Sequence, residues 1–122
     1  MNFSRDIPEV THYIKSYHPG ELHTTTAVYT QSIIIYQDTV TPNWEPVRIS
    51  HLTVEHIQAL KAFEPELILL GTGSEQHFPD AALLDPVYRA GIGIEVMSSD
   101  AACRTFNLLV GEGRNVLLAV MV

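Results

Sequence analysis

A single cysteine, Cys103, makes an internal disulfide impossible and suits a reducing compartment. Positive charge is scarce: seven Lys and Arg against fourteen Asp and Glu leave a formal charge of −7, with no basic run anywhere. Nucleic acids and anionic membranes both require concentrated positive charge, so neither is expected as a partner. Long apolar stretches are missing too. The longest, Leu67–Leu70 and Val116–Val122, are strand-length and far short of a membrane span. The first residues, Met1-Asn2-Phe3-Ser4-Arg5-Asp6-Ile7-Pro8, have neither the apolar stretch of a signal peptide nor the arginines of a mitochondrial presequence. These absences predict a cytoplasmic protein with no membrane insertion. No repeat, low-complexity segment or linker divides the 122 residues, so a single domain spanning 1–122 is expected. With 46% hydrophobic residues, that length can bury a core without disulfides or metals.

What is present changes character midway. Thr11–Tyr17 is β-branched and aromatic and stops at the turn pair Pro19-Gly20. Glu21–Thr26 returns as a short strand, and Ser32-Ile33-Ile34-Ile35-Tyr36 is the strongest strand signal of this half. Asp38–Pro46 reads as a loop around the only tryptophan, Trp44. From Thr53 the pattern alternates helix and strand. Thr53 suits an N-cap, and Val54, Ile57, Leu60 and Phe63 recur at helical spacing until Pro65. Leu67–Leu70 reads as a strand covered on both faces, opening into Gly71-Thr72-Gly73. Asp80–Leu84 forms a helical turn, and Asp85-Pro86 offers a fresh cap and first position for a helix to Ala90. Ile92–Met97 is a strand, Ser98 or Ser99 caps a helix to about Val110, and Asn115–Met121 is the last strand. Strands followed by βαβαβ predict an α/β domain with a largely parallel central sheet, extended by an antiparallel meander.

The second half carries an ordered set of short motifs. They are Gly71-Thr72-Gly73, Phe78-Pro79, Gly91-Ile92-Gly93-Ile94-Glu95-Val96-Met97, Ala101-Ala102-Cys103-Arg104-Thr105-Phe106-Asn107-Leu108-Leu109 and Glu112-Gly113-Arg114-Asn115-Val116. In order and spacing this set resembles a small-domain family that includes the mitochondrial complex I assembly factor 3, a cytosolic adipogenesis-associated protein and uncharacterised bacterial members. Ser32-Ile33-Ile34-Ile35 and the downstream Trp44 extend the likeness over nearly the whole chain. The resemblance implies a three-layer domain: a central mixed sheet, helices packed on it, and a small N-terminal antiparallel β layer. It also implies non-catalytic assembly work. Two departures stand out. Ser74-Glu75-Gln76-His77 follows the glycines where members often carry Arg, and Ser99 and Phe106 stand where Thr and Tyr are usual.

Several groups could carry chemistry. Gly71-Thr72-Gly73-Ser74 lies at the carboxyl end of a parallel strand, where open α/β sheets bind ligands. Glycine lets backbone approach a ligand, and a helix N-terminus favours an anion. Neither a Walker A motif nor a full dinucleotide fingerprint is present, and Glu75 adds negative charge, so a tight turn with positive φ is the plainer reading. Cys103, in the first turn of the last helix, shares an apolar face with Ala102, Phe106, Leu109 and Val110, which predicts a packed thiol rather than a nucleophile. His12, His18, His23, His51, His56 and His77 are scattered, although His18 and His23 could meet across a hairpin. Glu95, on an inner strand, would need a partner, for which Arg114 is the natural candidate; Asn107 could satisfy backbone groups beside its helix.

The expectation is therefore a protein-binding or complex-assembly domain with an unidentified protein partner, no catalytic residue, no cofactor and no metal. Self-association into a homo-oligomer is compatible with it. Trp44, between Pro42 and Pro46, is the candidate interface anchor, set against a reading in which it folds back over the sheet. The second reading is a small anionic ligand or nucleotide in the Gly71–Ser74 crevice, with Gly71, Thr72, Gly73, Glu95, Asn107 and Arg114 as its lining. The third is an enzyme using Cys103 or Glu95.

Overall fold

The structure, a computed structural model, describes residues 13–122, so Met1–Pro8, Thr11 and His12 lie outside the described residues. Strands β1 (Ile14–His18), β2 (Glu21–Thr24) and β3 (Val28–Tyr29) form an antiparallel sheet of three. The Pro19-Gly20 turn joins the first two, with Gly20 at φ 87°, a conformation open to glycine. A second sheet takes β4 (Ile33–Tyr36), β5 (Thr39–Thr41), β6 (Leu67–Thr72), β7 (Gly93–Met97) and β8 (Val116–Met121), in the order β5-β4-β8-β6-β7. Pairs β6–β7 and β6–β8 are parallel, whereas β4–β8 and β4–β5 are antiparallel. The sheet is evenly mixed rather than largely parallel, because Ile33–Tyr36 inserts beside β8 instead of joining a separate meander. The Asp38–Pro46 loop is likewise shorter than expected: Gln37, at φ 56°, turns the chain so that Thr39–Thr41 pairs back on β4.

Among the described residues there are three helices of eight or more residues: α1 (Val54–Lys61), α2 (Ala81–Arg89) and α3 (Ser99–Gly111). Thr53 caps α1 as expected. Its hydroxyl accepts from the His56 N–H at 3.3 Å, and the Thr53 N–H donates to His56 Nδ1 at 3.0 Å, a capping box with histidine in the position Glu usually takes. One continuous helix replaces the expected break at Asp85-Pro86. Asp80 is its N-cap, accepting from Ala82 N–H at 3.2 Å, and Pro86 lies inside. Proline forfeits one backbone bond there, while Leu84 and Val87 on either side bury against the sheet.

Alternation along the central strands divides the core between the two faces. Ile34, Ile68, Leu70, Leu117, Ala119 and Met121 pack with Ile57 and Leu60 of α1, and with Leu84 and Val87 of α2. Ile33, Ile35, Leu69, Val116, Leu118 and Val120 pack with Ala102, Cys103 and Phe106 of α3, and with Ile14 and Leu22 of the smaller sheet. From β6 the chain passes through α2 to β7 on one side, then through α3 back to β8 on the other. That reversal puts a topological switch point at the carboxyl ends of β6 and β8, where Gly71-Thr72-Gly73 stands.

Candidate functional site

At the switch point the start of α3 closes on Gly71. A Cβ on Gly71 would meet Ser99 Cα, Ser99 Oγ and Val120 Cγ2, each at 3.0 Å, so glycine is required for the start of α3 to close on β6. Ser99 is fully buried; its hydroxyl donates to the Met121 carbonyl at 2.6 Å and accepts from the Gly73 N–H at 2.8 Å. The Ser99 N–H donates to the Gly73 carbonyl at 2.7 Å. Thr72 Oγ1 accepts from the His77 N–H at 3.0 Å and donates to the Glu75 carbonyl at 2.6 Å. Gly73 has φ 97°, the positive-φ turn expected from sequence. The smaller sheet closes the same end: Gly20 N–H and the Tyr17 hydroxyl both donate to the Val122 carbonyl, at 3.0 and 3.4 Å. Burial pushes the Tyr17 phenol up, against the opposing effect of its hydrogen bond with Ser99. The Gly73, His77 and Ser99 amides, three of the donors an anion at this turn would need, are thus engaged with neighbouring groups.

An open concavity lies elsewhere among the described residues, between α2 and β7. It has a volume of about 560 Å³ and is lined by Phe78, Leu84, Tyr88, Ile94, Glu95 and Val96, among others. Phe78 is 71% exposed and Tyr88 56%, so two aromatic rings stand at its rim. Gln76 Nε2 donates to the Val96 carbonyl at 2.9 Å, from outside the sheet. Among the described residues Glu95 is the only charged one in the lining. Strand order corrects the expectation for Glu95: β7 is the edge strand, not an inner one, and the carboxylate is exposed rather than buried. Among the described residues it has no ion-pair partner, and Arg114 is not beside it.

The remaining candidates are dispersed. Arg114 precedes β8, at the opposite end of the sheet from Gly71, and its Nε donates to Glu66 Oε1 at 3.2 Å. That guanidinium, with the Asn115 N–H, holds the Glu66 carboxyl below its ordinary range. Asn107 accepts from the Ile14 N–H at 2.9 Å and donates to the Ile14 carbonyl at 2.8 Å, fastening β1 to α3. Trp44 is 8% exposed and packs in the α1–α2 core, which removes it from the exposed interface proposed for it on sequence. Its N–H donates to the Ser32 carbonyl at 2.7 Å, and Asn43 at φ 58° turns the ring inward. The histidines also stay apart: His18 is opposite Glu21 and His23 opposite Ser16 across the hairpin. Among the described residues no group of three or more His, Cys, Asp or Glu could hold a metal ion.

Cys103 is buried at 3% exposure, and burial, followed by the charge of Asp100, pushes its thiol up to about 12. Thiolate is the nucleophile, so at neutral pH this sulfur is held in its inert form. Two results are expected. A thiol reagent should label the native protein far more slowly than the denatured one. The alkaline behaviour follows from the sign of the shift: the unfolded thiol loses its proton near 9, the folded one near 12, so stability falls as pH rises between those values. Denaturant titrations across that range should show a shallower fall for Cys103→Ala than for the parent; equal slopes would mean the thiol is not buried in solution.

Sequence reasoning did not single out Gln76 or Tyr88, and Phe78 entered only through the Phe78-Pro79 motif. The one available signal was the large aromatic in a polar, proline-containing segment, Glu75-Gln76-His77-Phe78-Pro79.

The family described as "Protein of unknown function (DUF498/DUF598)" matches residues 14–121. The "13 kDa major membrane protein" of Francisella tularensis is 34% identical over 97 residues, which cover 80% of this chain and 74% of that protein. The NADH dehydrogenase (ubiquinone) 1 alpha subcomplex assembly factor 3 of Danio rerio is 32% identical over 80 residues, covering 64% of this chain and 46% of the assembly factor. An NMR structure of a Xanthomonas campestris protein superposes with a TM-score of 0.84 at 35% identity, covering 94% of this chain and 87% of that one. Among the described residues no helix is long and apolar enough to cross a membrane.

Proposed function

This chain belongs to the DUF498/DUF598 family of proteins of unknown function, a small family that includes complex I assembly factor 3 and bacterial homologues, and from that premise we infer that it is a non-catalytic, single-domain protein-binding module that acts in the assembly of a larger complex. The observation that carries this reading is a contrast between two ends of the molecule. The switch point, where an α/β protein would hold a small ligand, is closed by Ser99, Gly71 and Thr72. Two exposed aromatic rings, Phe78 and Tyr88, instead form a rim beside β7, which is an edge strand among the described residues. Exposed aromatics at a concave edge suit recognition of another polypeptide. The assembly factors in the family are longer proteins, and the match spans 46% of the Danio rerio one, so an assembly role for this chain is part of the proposal. A cytoplasmic setting belongs to it as well, supported by the single unpaired, inert thiol.

The competing reading places a nucleotide or small anion at Gly71–Ser74, and it has a direct test. Calorimetric titration of the protein with ATP and with NAD is expected to give no saturable heat, because the Gly73 N–H is already bonded to the Ser99 hydroxyl and Glu75 repels an anion. A micromolar dissociation constant for either would transfer the function to the ligand-binding reading. Turnover of a metabolite by the purified protein would abolish the non-catalytic one.

A further inference from the structure

We propose that the outer edge of β7 and the groove beside it bind an extended segment of a partner polypeptide as an added strand, with a Lys or Arg of that segment facing Glu95. The proposal rests on the protein-binding reading and names its site and the chemistry of the partner.

The backbone of β7 defines what is free. Gly93 N–H donates to the Glu66 carbonyl at 3.2 Å, and the Met97 carbonyl, opposite Gly71 in the parallel register, faces Thr72 Oγ1 of β6 at 3.3 Å. Gly93, Glu95 and Met97 therefore turn their backbone groups inward, towards β6. N–H and C=O of one strand residue point the same way, so Ile94 and Val96 turn theirs outward, to the open edge. Gln76 corroborates this, since its amide reaches the Val96 carbonyl from outside. That side-chain amide occupies the place of one ladder bond, a device that blunts an exposed edge until a better partner arrives. A strand added here would gain main-chain bonds at Ile94 and Val96, in the manner of β-augmentation.

Side chains then select the occupant. Ile94 and Val96 pack towards the α2 face, where Phe78 and Tyr88 offer apolar surface to alternate residues of the incoming strand. Glu95 points to the other face, exposed and without an ion pair among the described residues. Among the described residues no Lys or Arg lines the groove, and the chain as a whole carries −7. A basic residue on the partner answers both the local and the global charge. The same carboxylate argues against a second copy of this chain. In an antiparallel, two-fold pairing that uses Ile94 and Val96 of both copies, each Glu95 would lie directly opposite its twin, and like charges opposed across a ladder are destabilising.

The test pans a phage-displayed random peptide library against the folded chain and resynthesises the enriched sequence. Enriched peptides are expected to alternate apolar residues with Lys or Arg. Against that synthetic peptide, Glu95→Lys should raise Kd by about tenfold and Glu95→Gln by less, with native circular dichroism for both. Gln76→Ala should lower Kd several-fold, because it frees the Val96 carbonyl. N-methylation of alternate peptide amides, measured on the unaltered protein, should abolish binding while leaving every side chain in place. No enrichment, acidic consensus sequences, or indifference to N-methylation would overturn the proposal. So would a parent protein that sediments as a dimer and becomes monomeric with Glu95→Lys, which would make a second copy the occupant. Failure here, with a protein partner still bound by the Glu95 variants, would sink this site alone and leave the protein-binding reading intact; micromolar ATP or NAD binding would sink that reading itself.

Discussion

Trp44→Ala is expected to destabilise the protein by about 3–5 kcal/mol, the range for removing a large aromatic from a packed core. The ring is 8% exposed and shares its cluster with Ile34, Leu52, Ile57, Leu60 and Leu117. Removing it would open a cavity bounded by the central sheet and α1, two rigid elements with little freedom to collapse inward. It would also strip a neighbour from His56, whose ring lies edge-on to the indole at a centroid distance of 6.2 Å. His56 accepts the Thr53 N–H within the α1 capping box and meets Glu45 at 2.7 Å, so the substitution loosens a helix start as well. Urea unfolding followed by circular dichroism measures the effect, since the variant lacks the only tryptophan and its fluorescence. Trp44→Phe should retain much of the stability. A loss under about 1 kcal/mol would be the behaviour of a surface residue and would return Trp44 to the interface.

The fate of Trp44 also marks where local reading stops. Elements with a strong local signal were legible: the Thr53 cap with its helical period, the all-apolar run of β8, and the Ser98-Ser99 pair as the start of α3, of which Ser98 is the cap. Trp44 sits in a segment without period, after Asn43 at positive φ, and the core that takes up its ring is built from elements distant in sequence. Asp85-Pro86 misled for a different reason. A local preference for proline in the first turn was overridden by tertiary burial of Leu84 and Val87 along an unbroken helix. Glu95 shows the deepest limit. Its alternation with Ile94 and Val96 is the same on an inner or an edge strand, and only the long-range pairings of β6 with both β7 and β8 put β7 outside. The partner of Arg114 was hidden likewise, because Glu66 is distant in sequence and meets it only through the β6–β8 register. Asn107 was readable as a residue that satisfies backbone, but not that the backbone would be that of β1.

The Gly71 turn was readable as a turn, and what decides its function is a contact the sequence does not advertise: the approach of Ser99 at the start of α3. Gly71→Val is the variant that probes it, and it is expected to destabilise the protein by about 3 kcal/mol, at the upper end of overpacking costs. Its Cβ would lie 3.0 Å from Ser99 Cα, a backbone atom that cannot rotate away, before either methyl is counted. The helix start would have to lift, stretching the Ser99 bonds to Gly73 and Met121 at 2.8 and 2.6 Å. Ser99→Gly clears Oγ but leaves Cα in place, so the double variant should regain only part of the loss, and a double-mutant cycle should give a clear coupling between the two positions. Chemical denaturation of the four proteins provides the numbers. If Gly71→Val proved neutral, α3 would not close on β6 in solution, the Gly71–Ser74 crevice would be open, and the small-ligand reading would become the stronger one.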